Sequence, residues 1–150
     1  MLKTLKKIWG NPTPTSSKSQ EHDISLAVTA LMVQVMQQDD HLDETEHHAI
    51  IQAVQERFHL SAKDAEHHIK QATQSSLKAH DLRQFTAPLI KAYSVQERID
   101  IIRQLWLIAM ADQHVDVYEE ALIRKVAELI GVHHHQFIDA KIQAKTTSRQ

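Results

Sequence analysis

One eight-residue string occurs twice, and it constrains the fold more than any other feature. Residues 39–46 read DDHLDETE and residues 112–119 read DQHVDVYE, both of the form D-x-H-[LV]-D-x-x-E and 73 residues apart. Each copy follows a stretch whose apolar residues recur at helical spacing, and each opens another such stretch. The likeness extends beyond the string. Val28, Met32 and Val35 align with Ile101, Leu105 and Ile108, and Ile50 and Ala53 align with Ile123 and Val126. After a one-residue shift, Phe58-His59-Leu60-Ser61 aligns with Ile130-Gly131-Val132-His133. Two units of helix, acidic loop, helix and short helix, joined by residues 81–93, are expected to pack as a pseudo-two-fold bundle.

The spacing predicts an all-α, single-domain bundle of about seven helices. Valine and isoleucine fall at helical rather than alternating positions. The 150 residues are enough to bury one core. Residues 1–20 read as a basic, apolar N-terminal segment and a flexible linker, residues 21–145 as the helical domain, and residues 146–150 as a loose tail. In the linker, GNPTPTSSKSQ, the glycine and two prolines argue against a helix. The first core helix is expected over about 22–38 and the second after Asp43. A third, over about 62–78, is capped by Ser61, and a short fourth, capped by Asp81, is kinked or divided by Pro88. Ser94-Val95-Gln96-Glu97 is a capping box opening a fifth helix over about 95–111. A sixth follows Asp116 and stops at Gly131. A last one starts near His134.

Composition excludes several functions. There is no cysteine, so disulfides and thiolate metal sites are absent. The net charge of −2, with lysines and arginines dispersed, gives no basic stripe for nucleic acid. No nucleophile elbow, phosphate-binding glycine loop or dinucleotide fingerprint occurs, which argues against an enzyme. Residues 1–9, MLKTLKKIW, read as a frayed tail, with a weak membrane-surface contact as the alternative.

Two readings of the acidic strings compete. In the first, Asp39, Asp43 and Glu46, and likewise Asp112, Asp116 and Glu119, converge on a divalent cation at a helix-end turn. Oxygens favour Ca²⁺ or Mg²⁺, whereas His41 or His114 as an added ligand favours Mn²⁺ or Zn²⁺. In the second, Asp43 with Glu46 and Asp116 with Glu119 are helix caps. Capping leaves Asp39 and Asp112 unexplained, since they fall where a helix ends and its dipole disfavours anions. A two-metal hydrolase using both loops is a minor third reading. The histidine pairs of Glu46-His47-His48 and Glu66-His67-His68, and the run His133-His134-His135, read as solvated helix surface, because adjacent residues diverge by about 100° around a helix. Trp106 reads as core.

The pattern resembles the TerB-like family, named for bacterial tellurite-resistance proteins. The residues that carry the likeness are Ala111-Asp112 with Asp116 and Glu119, the parallel Asp39, Asp43 and Glu46, then Asp81-Leu82 with Phe85-Thr86. Glu97-Arg98, Leu105-Trp106 with Ala109, and Lys141 complete it. The resemblance covers about residues 22–145. It implies an all-helical domain whose acidic loops bind a divalent cation. Related domains in a membrane-bound J-domain co-chaperone serve interaction rather than catalysis. A cytoplasmic protein acting through a protein partner, at the inner membrane face if residues 1–9 touch lipid, is what the likeness implies. The family's loop reads A-D-G; here Asp40 and Gln113 stand at the glycine position.

Overall fold

A computed structural model describes the backbone of residues 14–37, 44–78, 81–111 and 114–148. These residues form seven helices and no strand: α1 (Pro14–Met36), α2 (Glu44–Phe58), α3 (Ala62–Lys78), α4 (Arg83–Ala92), α5 (Val95–Ala109), α6 (Val117–Leu129) and α7 (His134–Ser148). The all-α expectation holds.

Two helix bounds, and the effect of Pro88, differ from the sequence reading. α1 starts at Pro14, well before His22. Proline at the first helical position has its φ preset and lacks only an N–H that would have no helical partner. Residues 15–20 contain no glycine and no further proline to stop the helix. α7 runs on to Ser148 rather than fraying at Thr146, with the Thr146, Thr147 and Ser148 hydroxyls donating to the Ile142, Gln143 and Lys145 carbonyls at 3.0 Å each. Pro88 does not divide α4. It is exposed and removes one backbone hydrogen bond, and the ten-residue helix continues through it.

The predicted caps at Ser61 and Ser94 are present, Asp81 bonds one residue ahead of the cap position, and Asp43, the predicted cap of α2, lies outside the described residues. The Ser61 hydroxyl accepts from the Asp64 N–H at 3.1 Å. The Asp81 carboxylate accepts from the Arg83 N–H at 2.7 Å, although Leu82 holds the N-cap position itself. Ser94 and Glu97 close a reciprocal capping box on α5.

Packing repeats with the sequence. α1 lies most extensively on α3, and α5 most extensively on α7. α1 and α5 touch each other; α2 crosses onto α5, and α6 crosses onto α1. A two-fold relation between the halves produces this exchange of partners. α1 is apolar around most of its circumference, with Val28, Leu31, Met32, Val35 and Met36 all buried. Buried positions also match between α3 and α7: Ala65 with Phe137, His68 with Ala140, Ala72 with Ala144. Trp106 is fully buried against Phe137, ring centroids 5.4 Å apart, and the Lys141 ammonium lies 5.0 Å from its ring centre.

The middle helices of the two halves end alike. Leu60 N–H donates to the Gln55 carbonyl at 3.2 Å, and Val132 N–H to the Ala127 carbonyl at 2.8 Å. Both are closures of the Schellman type, which need a left-handed residue just past the helix. Gly131 supplies it after α6 with φ 75°, and His59 after α2 with φ 55°.

Candidate functional site

The second acidic turn is built by the entry to α6. Asp116 is the N-cap in extended conformation, and its carboxylate accepts from the Tyr118 N–H at 2.6 Å. The Glu119 carboxylate returns to accept from the Asp116 N–H at 3.2 Å. These two predicted site residues are therefore brought together as a reciprocal cap. His114 precedes them and is exposed. In the first turn, Glu46 sits in the first turn of α2. Asp39, His41, Asp43 and Asp112 lie outside the described residues. Among the described residues no group of three or more histidine, aspartate or glutamate side chains is placed to hold a metal ion.

Burial separates these glutamates from an ordinary cap. Glu97 closes the same box on α5 and is exposed. Its carboxyl lies below the usual range because the Ser94 backbone N–H and hydroxyl bond to it. Glu119 and Glu46, at equivalent places in the repeat, are only 4% and 7% exposed.

The histidines depart from the solvated-surface expectation at two positions. His47 Nε2 meets both Glu66 carboxylate oxygens at 3.0 and 3.1 Å, tying the two E-H-H strings together across α2 and α3. His68 is buried, 2.7 Å from the Ser25 hydroxyl and edge-on to His22. That hydroxyl gives its single proton to the His22 carbonyl at 2.8 Å. The proton between Ser25 and His68 must then come from His68 Nε2, as in a neutral ring protonated at Nε2. Burial holds the His68 pKa below 6.5, helped by His22 and His67 and opposed by Asp64. The signal was in the sequence: His68 stands on the stripe Ala65, Ile69 and Ala72 at helical spacing. The run at 133–135 is exposed, as expected.

Beside the second turn the surface is apolar. Val117 is 84% and Tyr118 59% exposed. Tyr118 also lines an open cavity of about 470 Å³ together with Leu82, Leu122 and Lys125. No described helix is long and apolar enough to cross a membrane.

Comparison with known proteins gives one match. The family described as tellurite resistance protein TerB matches residues 25–142. No curated protein matches the chain, and no solved structure does.

Proposed function

The chain belongs to the TerB family, and on that premise we propose that it is a non-catalytic helical binding module, acting through a protein partner and holding a divalent cation weakly at its acidic turns. One observation carries the cation: Glu46 and Glu119 are buried at matching places while the capping Glu97 is exposed. A cap needs no burial, and a cation beside the turn would add to the hydrogen bonding that keeps a carboxylate charged away from bulk water. Asp39, Asp43, Asp112 and Asp116 complete the oxygen sets, with His41 and His114 as optional nitrogen ligands. Ca²⁺ or Mg²⁺ suits the oxygens alone, and Mn²⁺ or Zn²⁺ suits them with an imidazole. The exposed Val117 and Tyr118 beside one turn support a partner surface there. The proposed setting is the cytoplasm, with a weak contact of residues 1–9 to the inner membrane face as the alternative to a frayed tail.

The second reading is a purely structural interaction module. It is favoured by the complete cap between Asp116 and Glu119, which gives both acids a role without any ion. A two-metal hydrolase has the least support, since it requires two metals about 3.5–4 Å apart with open positions.

Calorimetric titration with Ca²⁺, Mg²⁺, Mn²⁺ and Zn²⁺ tests the cation. A saturable heat with at least one metal is expected. It should disappear in the Asp39→Asn/Asp112→Asn variant and in Glu46→Gln/Glu119→Gln, while Glu97→Gln retains it. No heat with any of the four at millimolar concentration leaves the structural module.

A further inference from the structure

We propose that the cavity at the C-terminal end of α2 binds a guanidinium group carried on an apolar stem, which there takes the part that the Arg98 side chain plays in the second half. At the end of α6, Arg98 Nη1 donates to the Ile130 carbonyl at 2.6 Å. The same atom would lie 3.3 Å from a Cβ on Gly131. Arg98 thus closes the helix end and fills the space beside it. In the α1/α5 register that pairs Val28 with Ile101 and Met32 with Leu105, the residue at the place of Arg98 is Ser25. Its side chain is short and is turned to the His22 carbonyl and His68. Where the second half holds an arginine, the first half has an open cavity of about 470 Å³, lined by Ser25, Phe58, His59, Leu60, His68 and Tyr93. That volume is typical of small-ligand pockets.

The chemistry selects a cation with several donors. The last carbonyls of a helix lack helical partners and carry the negative end of its dipole. Phe58 occupies the place of Ile130, whose carbonyl Arg98 satisfies. Glu21 is among the residues that line the cavity, the one acid there. Phe58, Tyr93 and the imidazoles make the lining rich in rings, against which a planar guanidinium stacks better than an ammonium. Arg57 also borders the cavity; its guanidinium donates to Gln104 and Asp100 on α5 at 2.5 Å each and also bonds the Tyr93 side chain. The proposal uses none of the acidic-turn residues and stands apart from the cation reading.

The test is calorimetric and histidine-resolved NMR titration of the full chain with n-butylguanidinium chloride, against sodium chloride at equal ionic strength. The expected result is saturable binding that moves the His59 and His68 ring resonances. Ser25→Arg, which supplies a tethered guanidinium in exchange for the Ser25–His68 contact, should abolish the response. Glu21→Gln, at an exposed position, should weaken binding several-fold even if Ser25→Arg fails to fold. A blocked tripeptide with a central arginine distinguishes the sources. Binding at least ten-fold tighter than butylguanidinium supports the site and assigns it to a protein chain; equal binding supports it and assigns it to a free small molecule. No saturable response from either probe at ten millimolar, or a response unchanged in Glu21→Gln, overturns the proposal.

Discussion

The two halves of the molecule use one backbone plan with different contents, and the contrast is clearest at the ends of α2 and α6. Both helices close with the same long turn, yet one uses His59 and the other Gly131 in the left-handed conformation. Glycine takes that conformation without penalty, whereas a residue with a Cβ loses roughly 1–2 kcal/mol there. The second half also spends an arginine on the closure, while the first half places a serine at that position and leaves a cavity. The core differs in the same direction. Val33 on α1 stands where Trp106 stands on α5, so the α5–α7 contact is filled by a large aromatic pair and the α1–α3 contact by smaller side chains. Duplication preserves the plan of helices and caps. At this helix end and at the Trp106 position the second half is filled, while the first keeps a left-handed histidine, a buried histidine and open space.

Making the second half resemble the first at its centre should have the largest effect. Trp106→Val would remove a fully buried aromatic from contact with Phe137 and Lys141. The expected loss is about 3 kcal/mol or more, read as a lower urea midpoint at unchanged slope. The indole N–H is buried with no hydrogen-bond partner among the described residues, which offsets part of what the ring contributes. A loss below about 1 kcal/mol would mean that the space around Trp106 collapses freely, and the picture of a rigidly filled second half would fail.

Exchanging the helix-end residues sharpens the contrast at smaller amplitude. Gly131→His meets both a left-handed φ and the Arg98 guanidinium 3.3 Å from its Cβ, and should cost about 1–2 kcal/mol. His59→Gly relieves the same backbone strain but enlarges the freedom of the unfolded chain, so it should stabilise by less than about 1 kcal/mol. Effects of opposite sign are the prediction. If His59→Gly destabilises by as much as Gly131→His, then the imidazole is held by contacts that outweigh the strain.

Much of this plan was legible in the sequence because it rests on local rules. Ser94 with Glu97, Asp116 with Glu119, and Gly131 announce helix ends through hydrogen bonds three residues away or through a φ that glycine adopts without penalty. Apolar spacing placed Ile50, Ile102, Leu105 and Ile123 correctly inside. What was missed depends on which partner a face meets. His68 lay on the buried stripe of α3, but its type suggested solvent, and only the packing of α1 against α3 supplies Ser25 as its partner. The cavity was illegible for the same reason: the sequence offset pairs Ser25 with Arg98, but only the packing shows that Arg98 reaches the Ile130 carbonyl and that space is left beside Ser25. The start of α1 was misread because Pro14 was taken for a breaker, whereas at a first helical position it is a starter. The burial that distinguishes Glu119 from Glu97 has no signature in the D-x-x-E spacing that both turns of the repeat share.

The smallest expected effect tests the halves by acid. His68 corresponds to Ala140, so a buried imidazole exists at this position in the first half only. Its pKa in the folded chain lies below 6.5, chiefly through burial and then through His22 and His67, with Asp64 pulling the other way. Below pH 6.5 the unfolded chain therefore takes up a proton that the folded ring refuses, and stability must fall as pH falls until the folded-state pKa is passed. Well above 6.5 both states hold the ring neutral and His68 contributes no slope. Urea unfolding of the parent and of His68→Gln at a series of pH values from 7.5 to about 5 reads this directly. The variant costs some stability at every pH, because it loses the fit to Ser25, but its curve should be flatter over the acidic interval. Equal slopes would show that His68 is free to protonate in place, and the neutral ring donating from Nε2 to Ser25 would have to be abandoned.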